Sequence, residues 1–482
     1  MLSLLNRFKY GPVFASALLF NLAFPPFNLF LLVFVALIPW LLFLRAADKK
    51  SAIRSGYIFG LIFWLWQCNW IIPFVGKWTG SIGLALVPWL LIPTLVIWYF
   101  PILAALIHRA FGIGWLWAIP LLWAGMEFIR SQIPYLAFPW GLLANPLHSA
   151  PILIQPAAVG EIYLVSAWVV LANVLGVLIA EKAPARTTSR TMSVWLAVLV
   201  LSAGFYLRPP QSGDRKVISI GQTGVDMAFG NPSEQDAKSL EAVLELKRLA
   251  EANGSEAIVF PEKAVSLYNA PMLQGPLSTL FGTVIDRDQA SYQSAIAFEQ
   301  GKQTSTDKTR LVIFGEYVPF RDKLPFLKSF NLPSGDLKPG LSVGTVDWAG
   351  HKSGPSLCFE GLFPDVARIQ AQEGARSLSI LAIDDWYQGT TAMDQLAAGS
   401  VWRAVENQLP VFRAATLGIS QYVNERGDVI SRAPYGERVA MRVEAVIPET
   451  STAFPFRHLF GMLCALGIVA FWGYSPRKEK KA

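Results

Sequence analysis

One thiol in the 482-residue sequence stands apart from the others. Cys68 and Cys464 sit in apolar runs, where a small buried hydrophobe is the ordinary reading. Cys358 lies alone in the polar middle of the chain, with no second cysteine there for a disulfide. Its setting, Gly354-Pro355-Ser356-Leu357-Cys358-Phe359-Glu360-Gly361, predicts a strand running into a turn, which can project a nucleophile. A nucleophilic thiol needs a base, and the usual base is histidine. The only histidine of this region, His351, is seven residues earlier in a turn flanked by Gly350, and makes an unconvincing partner. The same scarcity argues against a His-rich zinc site or a Ser–His–Asp hydrolase. A carboxylate base remains. Glu262 follows Phe260-Pro261 at the end of a short apolar strand, where desolvation would raise its pKa. Lys308, in Asp307-Lys308-Thr309-Arg310, precedes the segment Leu311–Pro319. A lysine near the thiol would lower the thiol pKa and stabilise an oxyanion.

The elements that must position these groups follow an alternating pattern. Val217–Ile220 reads as a strand, and Asn231-Pro232-Ser233 opens a helix that closes at Asn253-Gly254. Ala237, Leu240, Leu244 and the Lys247 stem share one face of that helix. Ala257–Phe260 reads as a buried strand stopped by Pro261-Glu262. Further strands are expected at Ser379–Ile383, Val411–Ala415 and Ser420–Asn424, with a turn at Glu425–Asp428 and a helix over Ala392–Asn407. Strands alternating with helices imply a layered α/β domain.

The flanks are of another kind. The chain is 53% hydrophobic and only 16% charged, too apolar for a wholly water-soluble protein. Residues 1–208 carry 13 Lys/Arg against 4 Asp/Glu, residues 455–482 carry 5 against 1, and residues 209–454 carry 23 against 29. An acidic body with basic flanks is not the charge pattern of a nucleic-acid binder. Charge-free runs cover Tyr10–Leu44 (broken at Pro25-Pro26), Gly56–Gly76, Ile82–Ile107, Ala110–Met126, Ile162–Ala180, Thr191–Leu207 and Leu459–Tyr474. At about 20 residues per bilayer crossing they predict eight spans. Basic residues cluster at Arg7 and Lys9, at Arg45, Lys49, Lys50 and Arg54, at His108 and Arg109, at Lys182, Arg186 and Arg190, and at Arg477, Lys478, Lys480 and Lys481. With eight spans these clusters share the cytoplasmic side, and the middle domain lies outside it. Glu127 and Arg130, one turn apart near the end of a span, are expected to pair. Ser131–Gly160 holds five prolines, a single neutral histidine and no charged residue before Glu161, and reads as an outside-facing, membrane-hugging loop. Thirteen of the 17 tryptophans precede residue 209, as interfacial or packing residues.

Phe-Pro-Glu at 260–262, Lys308 eight residues before the Glu of Phe-Gly-Glu-Tyr-Val-Pro, and Cys-Phe-Glu at 358–360 together resemble the Glu-Lys-Cys triad of the nitrilase superfamily. With the flanking spans and the Ala137-Phe138-Pro139-Trp140-Gly141 loop, nearly the whole chain resembles the apolipoprotein N-acyltransferase family. The resemblance implies an α-helical polytopic membrane bundle of about eight spans with an inserted extracytoplasmic α/β nitrilase-like domain, an α-β-β-α sandwich. Residues 1–208 would supply seven spans, 209–454 the catalytic domain, and 455–482 the last span and a basic tail. It further implies Glu262 as general base, Cys358 as nucleophile and Lys308 as oxyanion stabiliser, with Glu316 and Glu360 as supporting carboxylates. No cofactor or metal is implied. The implied partners are a phospholipid acyl donor, an apolipoprotein bearing diacylglyceryl-cysteine as acceptor, and the bilayer of the bacterial inner membrane, with the catalytic domain on the periplasmic side. The chain departs from the family pattern at Phe359, where Tyr is common. It departs again at Ile383-Asp384-Asp385-Trp386-Tyr387, where Asn-Asp-x-Trp-Phe is common, at Gln395-Leu396 in place of Gln-His, and at Thr306 in place of a Tyr.

Three functions share this layout. The first is a membrane acyltransferase, in which a phospholipid ester acylates Cys358 and an amine collects the acyl group. A membrane-tethered amidase or nitrilase would use water instead, but needs at most one anchor. A non-catalytic assembly protein of a conjugative transfer system would keep the layout without the chemistry.

Overall fold

The structure is a computed structural model that describes residues 9–134, 136–319, 321, 323 and 336–474. The basic ends, Arg7 and Arg477, Lys478, Lys480 and Lys481, lie outside the described residues. The chain forms two compact units, Met1–Leu207 with Phe456–Ala482, and Arg208–Pro455.

The first unit is helical. Among its described residues three helices are long and apolar enough to cross a membrane, Ile82–Gly112, Ala157–Ala180 and Ala185–Leu207. Lys49–Gln67 and Ile71–Thr79 meet the same test together but bend by 51° at their junction. Gly11–Leu22, Phe30–Ala46 and His458–Gly473 are shorter apolar helices. The run Ala110–Met126 is not one helix: its first residues finish the preceding helix, Gly114 turns left-handed (φ 75°), and a new helix spans Ala118–Gln132. Left-handed glycine is a common helix terminator that hydropathy does not register. The helix Ala157–Ala180 begins before Ile162 and breaks at Gly160 and Glu161.

Glu127 and Arg130 are both buried, but their hydrogen bonds do not go to each other. Arg130 Nη1 donates to the carbonyls of Phe138 (2.9 Å) and Trp140 (2.6 Å), and its guanidinium lies over the Trp64 and Tyr99 rings. Glu127 Oε1 accepts from Trp123 Nε1 (3.0 Å) and the Leu143 amide (2.7 Å). The backbone of the proline-rich segment needs these partners, because prolines keep it from satisfying itself as a helix. That segment is therefore packed inside the helical unit rather than spread on a surface, with Trp140, Leu142, Leu143, Ala144 and Leu147 buried.

The second unit contains two six-stranded mixed sheets. Strands β1 (Gly213–Gln222), β2 (Ala257–Val259), β3 (Ser278–Arg287), β4 (Ala290–Glu299) and β5 (Lys302–Asp307), with β12 (Val439–Pro448), form one sheet in the order β12-β1-β2-β3-β4-β5. Strands β6 (Val346–Trp348), β7 (His351–Leu357), β8 (Ser377–Ala382), β9 (Val411–Ala415), β10 (Gln421–Val423) and β11 (Val429–Arg432) form the other, in the order β11-β10-β9-β8-β7-β6. In each, three central strands run parallel, β1-β2-β3 and β7-β8-β9, and the rest are antiparallel. Ile218, Val259, Leu280 and Ala297 of the first sheet share one buried cluster with Trp348, Leu357, Leu381 and Phe412 of the second, so the sheets pack face to face.

Helix α1 (Pro232–Ala252) covers the outer face of the first sheet, burying Val243, Leu246 and Ala250 against Ile258, Phe260 and Phe281. Helices α2 (Pro364–Gln372) and α3 (Ala392–Asn407) pack on the second sheet, giving α-β-β-α layers. The buried face of α1 is offset from the one expected. Ala237 is exposed, Leu240, Leu244 and Lys247 sit at the rim, and Ser239, Ala242, Val243 and Leu246 face inward. Asn231 caps α1 by accepting from the amides of Ser233 and Glu234.

Candidate active site

The chemistry-bearing residues sit just beyond strand ends. Glu262 follows β2 through Phe260-Pro261, with the Phe260 amide donating to Leu280 O and the Gly282 amide to Pro261 O. A Cβ at Gly282 would lie 2.6 Å from the Glu262 Cα, so only glycine in β3 lets the Glu262 backbone come this close. Lys308 follows β5, anchored by its amide to Gln293 O and by its carbonyl to the Gly340 amide. Cys358 follows β7 at the start of a one-turn 3₁₀ helix, Cys358–Leu362, and is left-handed at φ 52°. A β-carbon is disfavoured in that conformation, and such outliers concentrate at functional positions.

Lys308 is fully buried and lies between two carboxylates. Its Nζ is 2.6 Å from Glu316 Oε1 and 3.3 Å from Glu262 Oε1. Burial alone would push the ammonium down, but Glu262 and Glu316 more than reverse this and hold it well above the usual lysine value. Lys308 therefore stays charged. Glu262 is 3% exposed, and burial raises its pKa against the pull of Lys308. Glu316 is fixed in turn by the Val312 amide, which donates to Oε2 at 2.8 Å. The tight turn Val312–Glu316 makes this possible, with Phe314 left-handed at φ 60°.

Glu360 is buried and ties two of these loops together. Its Oε1 accepts from the Thr309 amide (2.8 Å), the Thr309 hydroxyl (2.7 Å) and the Arg310 amide (3.2 Å), and its Oε2 accepts from the Leu357 amide (3.1 Å). Burial raises its pKa, opposed chiefly by the Thr309 hydroxyl and amide.

The resting thiol is not activated. Burial, with the nearby charge of Glu262, pushes Cys358 up to about 12, and Lys308 only partly offsets this. Lys308 lowers the thiol pKa as expected, but desolvation outweighs it. Such a thiol keeps its proton until a base removes it during attack, and Glu262 is the raised carboxylate beside it. His351 cannot serve. It begins β7 at the opposite end of the strand, roughly 20 Å away at about 3.3 Å per residue. Its Nε2 is 2.7 Å from Ser377 Oγ, and burial pushes it down to about 4.

A second layer escaped the reading of the sequence. Asp384, two residues after β8, is fully buried in a two-pronged ion pair with Arg413 of β9 (2.8 and 2.9 Å) and accepts from the Ile419 amide. Asp385 accepts from the Thr416 hydroxyl, the Leu417 amide and the Met227 amide. Acids at the end of a mostly apolar run, Leu378 to Ile383, were the available signal, as Glu262 was after Ala257–Phe260. Among the described residues no group of three or more His, Cys, Asp or Glu is arranged to hold a metal ion.

Residues 16–175 match the family model described as the apolipoprotein N-acyltransferase N-terminal domain, and residues 225–444 match the carbon-nitrogen hydrolase model. An apolipoprotein N-acyltransferase of Geobacter metallireducens is 29% identical over 98% of this chain and 96% of its own. One from Pasteurella multocida is 24% identical over 96% and 93%. Among solved structures, a carbon-nitrogen hydrolase of Helicobacter pylori aligns with a TM-score of 0.39 at 14% identity, over 52% of this chain and 94% of that one. An amidase of the nitrilase superfamily from Nesterenkonia gives a TM-score of 0.36 at 16% identity, over 50% and 93%. The two family models in succession, with curated relatives alike over nearly their full length, make the chain similar to the apolipoprotein N-acyltransferases over nearly its whole length.

Proposed function

We propose that the protein transfers a fatty acyl chain from a membrane phospholipid to the N-terminal amine of the diacylglyceryl-cysteine of apolipoproteins, through a thioester on Cys358. The observation that carries the reading is the buried Lys308 ammonium held between Glu262 and Glu316, whose charges are felt at the Cys358 thiol. Glu262 takes the thiol proton as sulfur attacks the ester carbonyl. Lys308 neutralises the oxyanion, and its charge is already in place before reaction. The C–O bond breaks, and Glu262 returns the proton to the departing lysophospholipid oxygen. The acceptor amine then attacks the thioester, Glu262 takes its proton, and the thiolate leaves and is reprotonated. Glu316 orients Lys308, and Glu360 holds the Lys308 and Cys358 loops in register.

The helical unit is proposed as a multi-pass bundle of eight spans in the bacterial inner membrane, with both termini cytoplasmic. Residues 1–208 supply seven spans and 455–482 the eighth, and 209–454 form a catalytic domain on the periplasmic side. The one-sided basic clusters support this topology. The test is direct. Incubated with phospholipid vesicles, the purified protein should gain one fatty-acyl mass on Cys358, removable by hydroxylamine. No adduct on Cys358 under conditions where the protein remains folded would overturn the acyltransferase reading.

A further inference from the structure

Within the helical unit, the helices Ala118–Gln132 and His458–Gly473 touch through glycine. A Cβ at Gly125 would lie 2.7 Å from the carbonyl of Cys464, so only glycine permits this approach. Beside the contact the surface is hollow, and a Cβ at Gly467 would meet nothing within 4 Å. The hollow is a groove of about 490 Å³, with Trp115, Leu121, Phe460, Gly467, Phe471 and Tyr474 in its lining. Among the described residues no charged side chain lines it. Along the last helix the lining runs from Phe460 to Tyr474, about 21 Å at 1.5 Å per residue. Half of a hydrocarbon core is about 15 Å, so the groove is long enough for one acyl chain of a single leaflet.

The groove ends at a cation. The Arg109 guanidinium lies over the Phe471 ring, 5.3 Å from its centre. Nη1 donates to Trp472 O (2.9 Å) and Nη2 to Tyr474 O. Trp115 stacks on Tyr474 beside it (4.9 Å), and both are residue types that settle at headgroup level. The two bonds use two of the five N–H groups of the guanidinium, and both acceptors are neutral carbonyls. Among the described residues no carboxylate pairs with Arg109.

We infer that this groove holds one anionic phospholipid, with an acyl chain along His458–Gly473 and its phosphate on Arg109. An uncharged groove would take any bilayer lipid. A guanidinium with free donors and no described counter-ion selects a headgroup of negative charge, and basic pockets between spans bind such headgroups. The inference goes beyond the acyl-transfer reading and does not depend on it. In the topology proposed above, Arg109 belongs to a cytoplasmic basic cluster, across the bilayer from the catalytic domain. The lipid is therefore a resident of the helical unit and not the acyl donor. Its phosphate and chain bridge Arg109, the start of Ala118–Gln132 and the last helix, and so hold the C-terminal span in place.

The test uses the full-length protein in detergent, mixed with equal amounts of phosphatidylglycerol and phosphatidylcholine. Both carry ether-linked chains, so no acyl group can be transferred, and retained lipid is counted by native mass spectrometry. Wild type should retain one phosphatidylglycerol in preference to phosphatidylcholine. Arg109→Gln should cut that preference about fivefold, the worth of one cation beside an anionic headgroup. Arg109 also bonds the end of the last helix, so a second variant leaves it in place. Gly467→Leu fills the groove from a position with open space and suits a helix better than glycine; it should lower retention of both lipids. A preference within twofold of wild type in Arg109→Gln, or undiminished retention in Gly467→Leu, would overturn the inference. Equal retention of the two lipids by wild type would do the same. Thioester formation on Cys358 from ordinary phospholipid is measured separately, so failure of the acyl-transfer reading leaves the lipid count standing.

Discussion

Glu360 and Thr309 join the nucleophile's loop to the lysine's loop: one carboxylate oxygen accepts from both the amide (2.8 Å) and the hydroxyl (2.7 Å) of Thr309. Because Thr309 follows Lys308 and Glu360 lies two residues after Cys358, this contact sets the distance between ammonium and sulfur. Glu360→Gln replaces one accepting oxygen by a donor that faces donors. Each lost bond to a charged acceptor is worth about 1.5–3 kcal/mol. Thioester formation should fall by one to two orders of magnitude, and Thr309→Val should reproduce a smaller part of the loss. Wild-type rates in Glu360→Gln would remove Glu360 from the positioning role.

Opposite charges near the thiol give predictions of opposite sign. The charge of Glu262 raises the Cys358 pKa, so Glu262→Gln should move alkylation to lower pH even as it abolishes acylation by phospholipid. A more reactive thiol in a less active enzyme is the mark of a base rather than of a structural carboxylate. Should alkylation move to higher pH, Glu262 would not be facing the sulfur as described.

Glu316 tests the lysine's seat. Its two oxygens engage Lys308 Nζ and the Val312 amide. Removing one partner of a buried ion pair typically costs about 3–5 kcal/mol, because the other charge stays behind. Glu316→Ala should lower the melting temperature clearly, with Glu316→Gln in between. Glu262 also neighbours Lys308, so the loss should fall toward the lower end of that range. Unchanged melting in Glu316→Ala would mean that the pair is not closed in solution.

Much of the α/β domain was legible because its central elements are plain. The Ala392–Asn407 helix and the Val411–Ala415 strand have the expected limits, and Asn231 caps its helix where a capping residue was read. The hairpins β3–β4–β5 were missed, because buried Thr279, Thr283, Gln293 and Ser294 blur the apolar alternation. Their turns, with Asp288 and Gln289 and then Gln300 and Gly301 at positive φ, lack the usual Asn-Gly signature. The pairing of Glu262 with Lys308 spans 46 residues, and periodicity carries no such information. A resemblance could suggest it. The Asp384–Arg413 pair, 29 residues apart, had no such cue. Glu127 and Arg130 show the reverse failure: helical spacing placed them on one face, but Arg130 bonds carbonyls of the loop, and Glu127 bonds a loop amide and Trp123 of its own helix.

Asp385 should make the domain's stability depend on pH near neutrality. Burial raises it from 3.8 to about 7, against the pull of its three donors, and Asp226 adds to the rise. In the folded state the proton is therefore held up to about pH 7, whereas the unfolded chain releases it near pH 4. Between these limits the folded protein binds more protons, so stability falls as pH rises through the window and levels off above it. At about 1.4 kcal/mol per pH unit for one group, the loss can reach a few kcal/mol. Asn at position 385 carries no charge at any pH, so Asp385→Asn should flatten the decline. The measurement is the melting temperature in detergent at steps from pH 4.5 to 8 for both proteins. Equal slopes would show that Asp385 is ionised throughout, held as a carboxylate by Thr416, Leu417 and Met227 despite its burial.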